Sequence, residues 1–86
     1  MKHVICSIFD TAVEAYMRPF TARTEGEAIR MFEDLAADDT SEVSKHPEYY
    51  VLFKLAEFND GNGQIDSDIK ALKRAHETEA KLREVN

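Results

Sequence analysis

The chain has 86 residues, 33% of them charged, and a net charge of −6. That length suits one small domain with a single core, and the composition fits a soluble globular chain rather than a disordered or membrane-spanning one. The lone cysteine, Cys6, excludes an intramolecular disulfide and fits a reducing compartment.

Net acidity disfavours nonspecific binding to nucleic acid. The acidity is localised, however: residues 25–60 hold ten acidic side chains against three basic ones, and the remainder is near neutral. A local phosphate contact therefore stays open. Burial at this size leaves little surplus stability, so a partner subunit is expected. Met1 leads directly into a strand-like pattern, with no charged leader and no run long enough for a bilayer, which predicts a cytoplasmic protein.

Lys2–Asp10 alternates, with Val4, Cys6 and Ile8 on one side and His3, Ile5, Ser7 and Phe9 on the other. That is strand periodicity with two partly apolar faces. Asp10-Thr11 predicts a turn, and a second strand is expected from Ala12 to about Ala22. Pro19 has no N–H for a ladder, so this strand is an edge or bends there.

Thr24-Glu25-Gly26-Glu27 has the form of a capping box, the Thr hydroxyl accepting the Glu27 amide while Glu27 reaches back. Ala28, Ile29, Phe32, Leu35 and Ala36 follow at helical spacing, predicting a helix to about Ala37. Residues 38–48 read as an acidic loop. Tyr49–Asn59 is the third expected strand, with a helix as the alternative for so short an apolar run. Its two faces are Tyr49, Val51, Phe53, Leu55, Glu57 and Tyr50, Leu52, Lys54, Ala56, Phe58. Asp60-Gly61-Asn62-Gly63 is a turn by composition. Asp66 or Ser67 can cap a last helix running to about Arg83, with Ile69, Leu72, Ala75, Leu82 and Val85 on its thin apolar stripe. Glu77–Lys81 and Glu79–Arg83 would support it at i,i+4.

The expected fold is α+β in the order β-β-α-β-α: a three-stranded antiparallel sheet, order 2-1-3, with both helices on one face. Residues 1–65 form the core unit of this single domain, and the helix over 66–86 can extend from it.

No catalytic signature is present, so the sequence favours a non-enzymatic role. The loop at Asp60-Gly61-Asn62-Gly63 half-spells a calcium site. Asp60 and Asn62 fall at ligand positions of an EF-hand, but Phe58 and Ile69 stand where its first anionic ligand and bidentate carboxylate belong, and a plain turn is favoured. His3, His46 and His76 show no metal spacing with Cys6 or each other, so neither metal nor cofactor is expected.

The sheet face away from the helices carries the stronger signal. If Val4, Cys6, Ile8, Val13, Ala15, Met17, Val51, Phe53 and Leu55 face the helices, then His3, Ile5, Phe9, Tyr16, Arg18, Tyr50, Leu52, Lys54 and Phe58 face outward. That surface is too apolar to leave wet. A homodimer interface, sheet against sheet or through the edges, is the plainer reading. The alternative is a platform for single-stranded DNA, with Tyr16, Tyr50 and Phe58 under bases and Arg18 and Lys54 at phosphates. Lys70, Lys73 and Arg74 could add a phosphate contact, though a solvated face is the simpler assignment.

Two blocks resemble a known family. One is Met17-Arg18-Pro19-Phe20 with Ala22-Arg23 and Glu27-Ala28-Ile29-Arg30-Met31-Phe32. The other is Lys45-His46-Pro47-Glu48-Tyr49-Tyr50-Val51-Leu52-Phe53, followed by Phe58-Asn59-Asp60 and Gly63. In this order and spacing they resemble the small nonstructural protein of gokushoviruses, a microvirus group of single-stranded DNA bacteriophages. The likeness covers about residues 1–65. It implies an accessory factor in genome replication or packaging, acting in the cytoplasm of the infected bacterial host and contacting viral or host replication protein. It carries over no catalytic or binding residues.

Overall fold

The structure is a computed structural model that describes residues 1–77. Its elements in chain order are β1 (Lys2–Asp10), β2 (Ala15–Tyr16), β3 (Phe20–Ala22), α1 (Glu25–Ala37), α2 (Glu42–Lys45), a 3-10 turn (Pro47–Tyr49), β4 (Tyr50–Asn59) and β5 (Ile65–Arg74). All strand pairings are antiparallel. The five-stranded sheet runs β2-β1-β4-β5, with β3 also paired to β1. The α+β class and the placement of β4 beside β1 agree with the sequence reading; the strand count does not.

Two differences have clear causes. The expected second strand is broken into β2 and β3, because residues 17–19 leave the ladder at Pro19. The break is satisfied locally: Met17 N–H donates to the Ile8 carbonyl at 2.8 Å, and the buried Ser7 hydroxyl donates to the Met17 carbonyl at 2.6 Å. The second difference is larger. Residues 65–74, expected in a helix, form the edge strand β5, joined to β4 by a hairpin. Among the described residues after β5, helical backbone is found at residues 75–77, and Ala75 is fully buried against the core. The expected pairs Glu77–Lys81 and Glu79–Arg83, with Leu82 and Val85, lie outside the described residues or depend on them.

The hairpin turn accounts for the calcium-like sequence. Asn59 and Gln64 close it at 2.8 Å, Gly63 N–H donates to the Asn59 carbonyl, and Gly63 sits at φ 77°. The Asn59 and Asn62 side-chain oxygens accept the Gly61 and Gln64 amides. Turn residues thus serve backbone hydrogen bonds, the role their composition favours. The turn connects two strands rather than a strand and a helix.

Helix α1 forms where its local signals put it. The Thr24 hydroxyl accepts Glu27 N–H at 3.1 Å, while the Glu27 carboxylate reaches one residue further back than expected, to Arg23 N–H at 3.1 Å and the Arg23 guanidinium at 2.9 Å. Ala28, Phe32 and Ala36 are buried against Val4, Cys6, Ile8, Ala22, Tyr50 and Leu52, with Ile29 and Leu35 packed at the margin. Burying a phenylalanine such as Phe32 contributes roughly 2–3 kcal/mol. The acidic loop contains one turn of helix, α2, capped by Ser41 and anchored by buried Val43. Short amphipathic turns of this kind leave too little periodicity to read.

Candidate interaction face

Cross-strand partners share a face, so the pairing assigns both sides of the sheet. Cys6 pairs with Lys54, Ile8 with Leu52 and Asp10 with Tyr50, on the helix side. Ser7 pairs with Phe53, Phe9 with Val51 and His3 with Phe58, on the outer side. Between Ile5 and Cys6 the register shifts: Leu55 is an extra residue on β4. This bulge lets Phe53 and Phe58, five positions apart, emerge on one face, which strict alternation forbids.

The expected orientation of β4 is therefore inverted over its first half. Tyr50 is buried toward α1, and burial, then the nearby Asp10 carboxylate, pushes its phenol above the ordinary value. Leu52 is fully buried in the core. Lys54, predicted to meet phosphates, also points inward. Its side chain is 4% exposed, and its ammonium contacts Asp68 at 2.8 Å, Glu57 at 2.9 Å and Glu25 at 3.3 Å. Those hydrogen bonds, Asp68 first and Glu57 second, raise its pKa above the usual lysine value despite desolvation. Reciprocally, Lys54 holds the Asp68 carboxyl below its usual range; Lys70, then Lys54, does the same for Glu25. Lys70 reaches Glu25 at 3.1 Å and Lys73 reaches Glu33 at 3.2 Å. Three of the four predicted cations beyond Arg18 are thus engaged by carboxylates; Arg74 is exposed beside Val51 on the outer face.

What the outer face presents is aromatic. The rings of Phe9 and Tyr16 lie 4.7 Å apart, Tyr16 and Phe53 5.6 Å at 82°, and Phe9 and Phe53 6.0 Å at 72°. Phe53 meets both other rings edge-to-face, and Phe9 and Tyr16 are tilted at 57°, all within the favoured separation range. Tyr16 remains 46% exposed, and Ile65 and Ile69 on β5 are exposed nearby in the sheet. Phe58 lies 6.3 Å from the His3 ring at the opposite end. There Asp60 accepts from the Met1 ammonium and contacts His3 Nε2, both at 2.8 Å, and its carboxyl is held low by the ammonium first and His3 second. No described helix covers this face; α1 lies on the other.

Of the eight predicted residues, Tyr16, Phe58 and Arg74 share the outer face, and Arg18 is exposed in the break between β2 and β3. Tyr50, Lys54, Lys70 and Lys73 do not join them. Phe53 was missed as an outward residue. Its signal was present: two aromatics, Phe9 and Phe53, fall within reach only if β4 is registered with Ser7 opposite Phe53.

Elsewhere, an apolar cleft of about 240 Å³ opens beside α1, lined by Ile8, Phe20, Met31, Phe32 and Leu35. It holds no polar group for chemistry. Among the described residues no cluster of His, Cys, Asp and Glu is arranged to hold a metal ion, and no helix is long and apolar enough to cross a membrane. Cys6 is fully buried, and burial, then Glu25, pushes its thiol pKa up, which disfavours the thiolate.

Fold and face together define an α+β protein with one helix-covered sheet face and one that is open among the described residues. The chain matches the family model described as Phage ORF5 protein over residues 3–78, and it belongs to that family. It is therefore a small phage protein. No curated protein and no solved structure matches it.

Proposed function

We propose that the protein is a non-enzymatic accessory factor of a gokushovirus, acting in the host cytoplasm in single-stranded DNA replication or packaging. It works as a dimer, and its open sheet face contacts a viral or host replication protein. The observation that carries this reading is the outward cluster of Phe9, Tyr16 and Phe53, a protein-like contact surface that pairs aromatic area with few cations. The family membership supports the phage setting, and the two sequence blocks that resemble gokushovirus nonstructural proteins support the finer one.

Direct binding of single-stranded DNA is the second reading, favoured by the same aromatics with Arg18 and Arg74 at the margin. It is weaker on two counts. Lys54, Lys70 and Lys73 are paired with carboxylates, and the three rings pack against one another, Phe53 edge-to-face with both others, instead of standing apart as platforms for bases.

The test is a phage lacking this gene. Infected cells should show an altered ratio of duplex to single-stranded viral DNA; an unchanged ratio removes the replication role. Anisotropy of a labelled oligonucleotide at low salt should stay flat. A titration that saturates, weakens with salt and weakens again in Tyr16→Ala would replace protein contact with DNA binding.

A further inference from the structure

The two edges of the sheet are built differently. On one side, β2 is two residues long and β3 three, with Pro19 in the gap between them. Short, interrupted, proline-bearing edges resist pairing with another chain. On the other side β5 offers ten residues, without proline or glycine, whose only partner among the described residues is β4. Residues 65–71 are all exposed, including Ile65 at 61% and Ile69 at 64%.

We propose that a second copy of the chain pairs antiparallel with this edge, β5 against β5, with Ile69 opposite Ile69. The inference rests on the dimer reading above and names the surface that makes it. The occupant follows from the charge pattern of Ile65-Asp66-Ser67-Asp68-Ile69-Lys70-Ala71, which places acids before Ile69 and a base after it. Antiparallel pairing about Ile69 sets Asp68 of each copy opposite Lys70 of the other, and Ser67 opposite Ala71. Opposite charges directly across a ladder attract, and like charges repel.

Neighbouring registers fail the same criterion. Sliding each way to the next register that keeps faces aligned puts Asp68 opposite Asp68, or Lys70 opposite Lys70. A slip by one residue instead sets the helix side of one copy against the outer side of the other. The needed groups have spare capacity: among the described residues Asp68 contacts Lys54 through Oδ2 and Lys70 forms one ion pair, with Glu25. A two-fold axis perpendicular to the sheet then makes the two aromatic faces continuous on one side and keeps both helix layers on the other.

Sedimentation and cysteine crosslinking of the full chain test this. Ile69→Cys should form an intermolecular disulfide on mild oxidation, because directly opposed residues lie within bridging distance. Ser67→Cys should not, since the two thiols would be offset by about 13 Å along the strands. Cys6 is fully buried and contributes no background. Ile69→Lys should weaken self-association by about tenfold or more, with an unchanged circular dichroism spectrum, by opposing two ammoniums on the axis. If the wild-type dimer persists in Ile69→Lys and the Ile69→Cys variant does not crosslink, the edge assignment is overturned and the dimer reading stands. A wild-type monomer at micromolar concentration overturns both.

Discussion

In Lys54→Met the buried ammonium gives way to an apolar side chain of similar length, while Glu57→Gln with Asp68→Asn leaves the ammonium and removes its two shortest contacts. The outcomes should be unequal. Glu25, Glu57 and Asp68 keep 37%, 35% and 52% side-chain exposure, so without Lys54 each can turn to water. Lys54 keeps 4% and cannot. A cation left at that depth with Glu25 at 3.3 Å as the one remaining carboxylate of the cluster costs about 3 kcal/mol, whereas replacing it by a packed apolar group costs about 1 kcal/mol or less. For a chain of this size those figures correspond to melting shifts of about 15 °C and about 5 °C. Thermal and urea unfolding at pH 7 provide the comparison. The pH dependence has a definite sign. The raised pKa of Lys54 means its stabilisation is whole below the usual lysine value of about 10.4 and is lost as pH rises through the folded one. The lowered pKa values of Asp68 and Glu25 mean theirs is present above about pH 4 and is lost as pH falls through the folded values. Between about pH 5 and 10 the gap between the variants should stay constant, and Lys54→Met should flatten the acid limb. If Lys54→Met costs as much as the double acid variant, the burial asymmetry is not what governs this cluster.

Thr24→Ala removes the acceptor for Glu27 N–H and should lower stability by about 1 kcal/mol; a loss within error of zero would mean Glu27 holds the helix start alone. Gly63→Ala should also destabilise, by about 1 kcal/mol, through backbone strain at φ 77°, since nothing lies within 4 Å of the added carbon. Native protein should react with Ellman's reagent only as fast as it unfolds, given the full burial of Cys6 and its raised pKa. Immediate stoichiometric labelling in buffer would show that the core around β1 opens.

Strand β1 and helix α1 were legible because their signals are local: alternation over nine residues, and a cap followed by helical spacing. Strand β5 was not, and its residues explain why. Ile65, Ile69 and Leu72 sit at helical intervals, acids precede bases, and Ser67 can cap. The same stretch also alternates, with Ile65, Ser67, Ile69 and Ala71 on one side. Local pattern therefore supports both states, and the choice is made by a non-local partner, the ladder with β4 closed by the Asn59–Gln64 turn. Pro19 was read as an edge or bend within one strand, not as a break into two, because the short β2 and β3 carry too few residues to announce themselves.

The site was half legible for a related reason. The expected face assignment put Lys54 outward, and a lone lysine in an apolar run has no visible partner in sequence to argue otherwise. Its partners come from α1, β4 itself and β5, 29, 3 and 14 positions away. With Lys54 turned inward beside Cys6, Tyr50 and Leu52 must follow it, and Phe53 must turn out to Phe9 and Tyr16. The bulge at Leu55 then restores Phe58 to the outer side, which is why that residue was placed correctly by an alternation that was wrong four residues earlier. The same inward lysine draws Asp68 toward the helix layer and, by alternation, leaves Ile69 outward on the open edge. The ion cluster thus does more than neutralise a buried charge: it orients β5 so that its apolar positions, rather than its acids, line the exposed face.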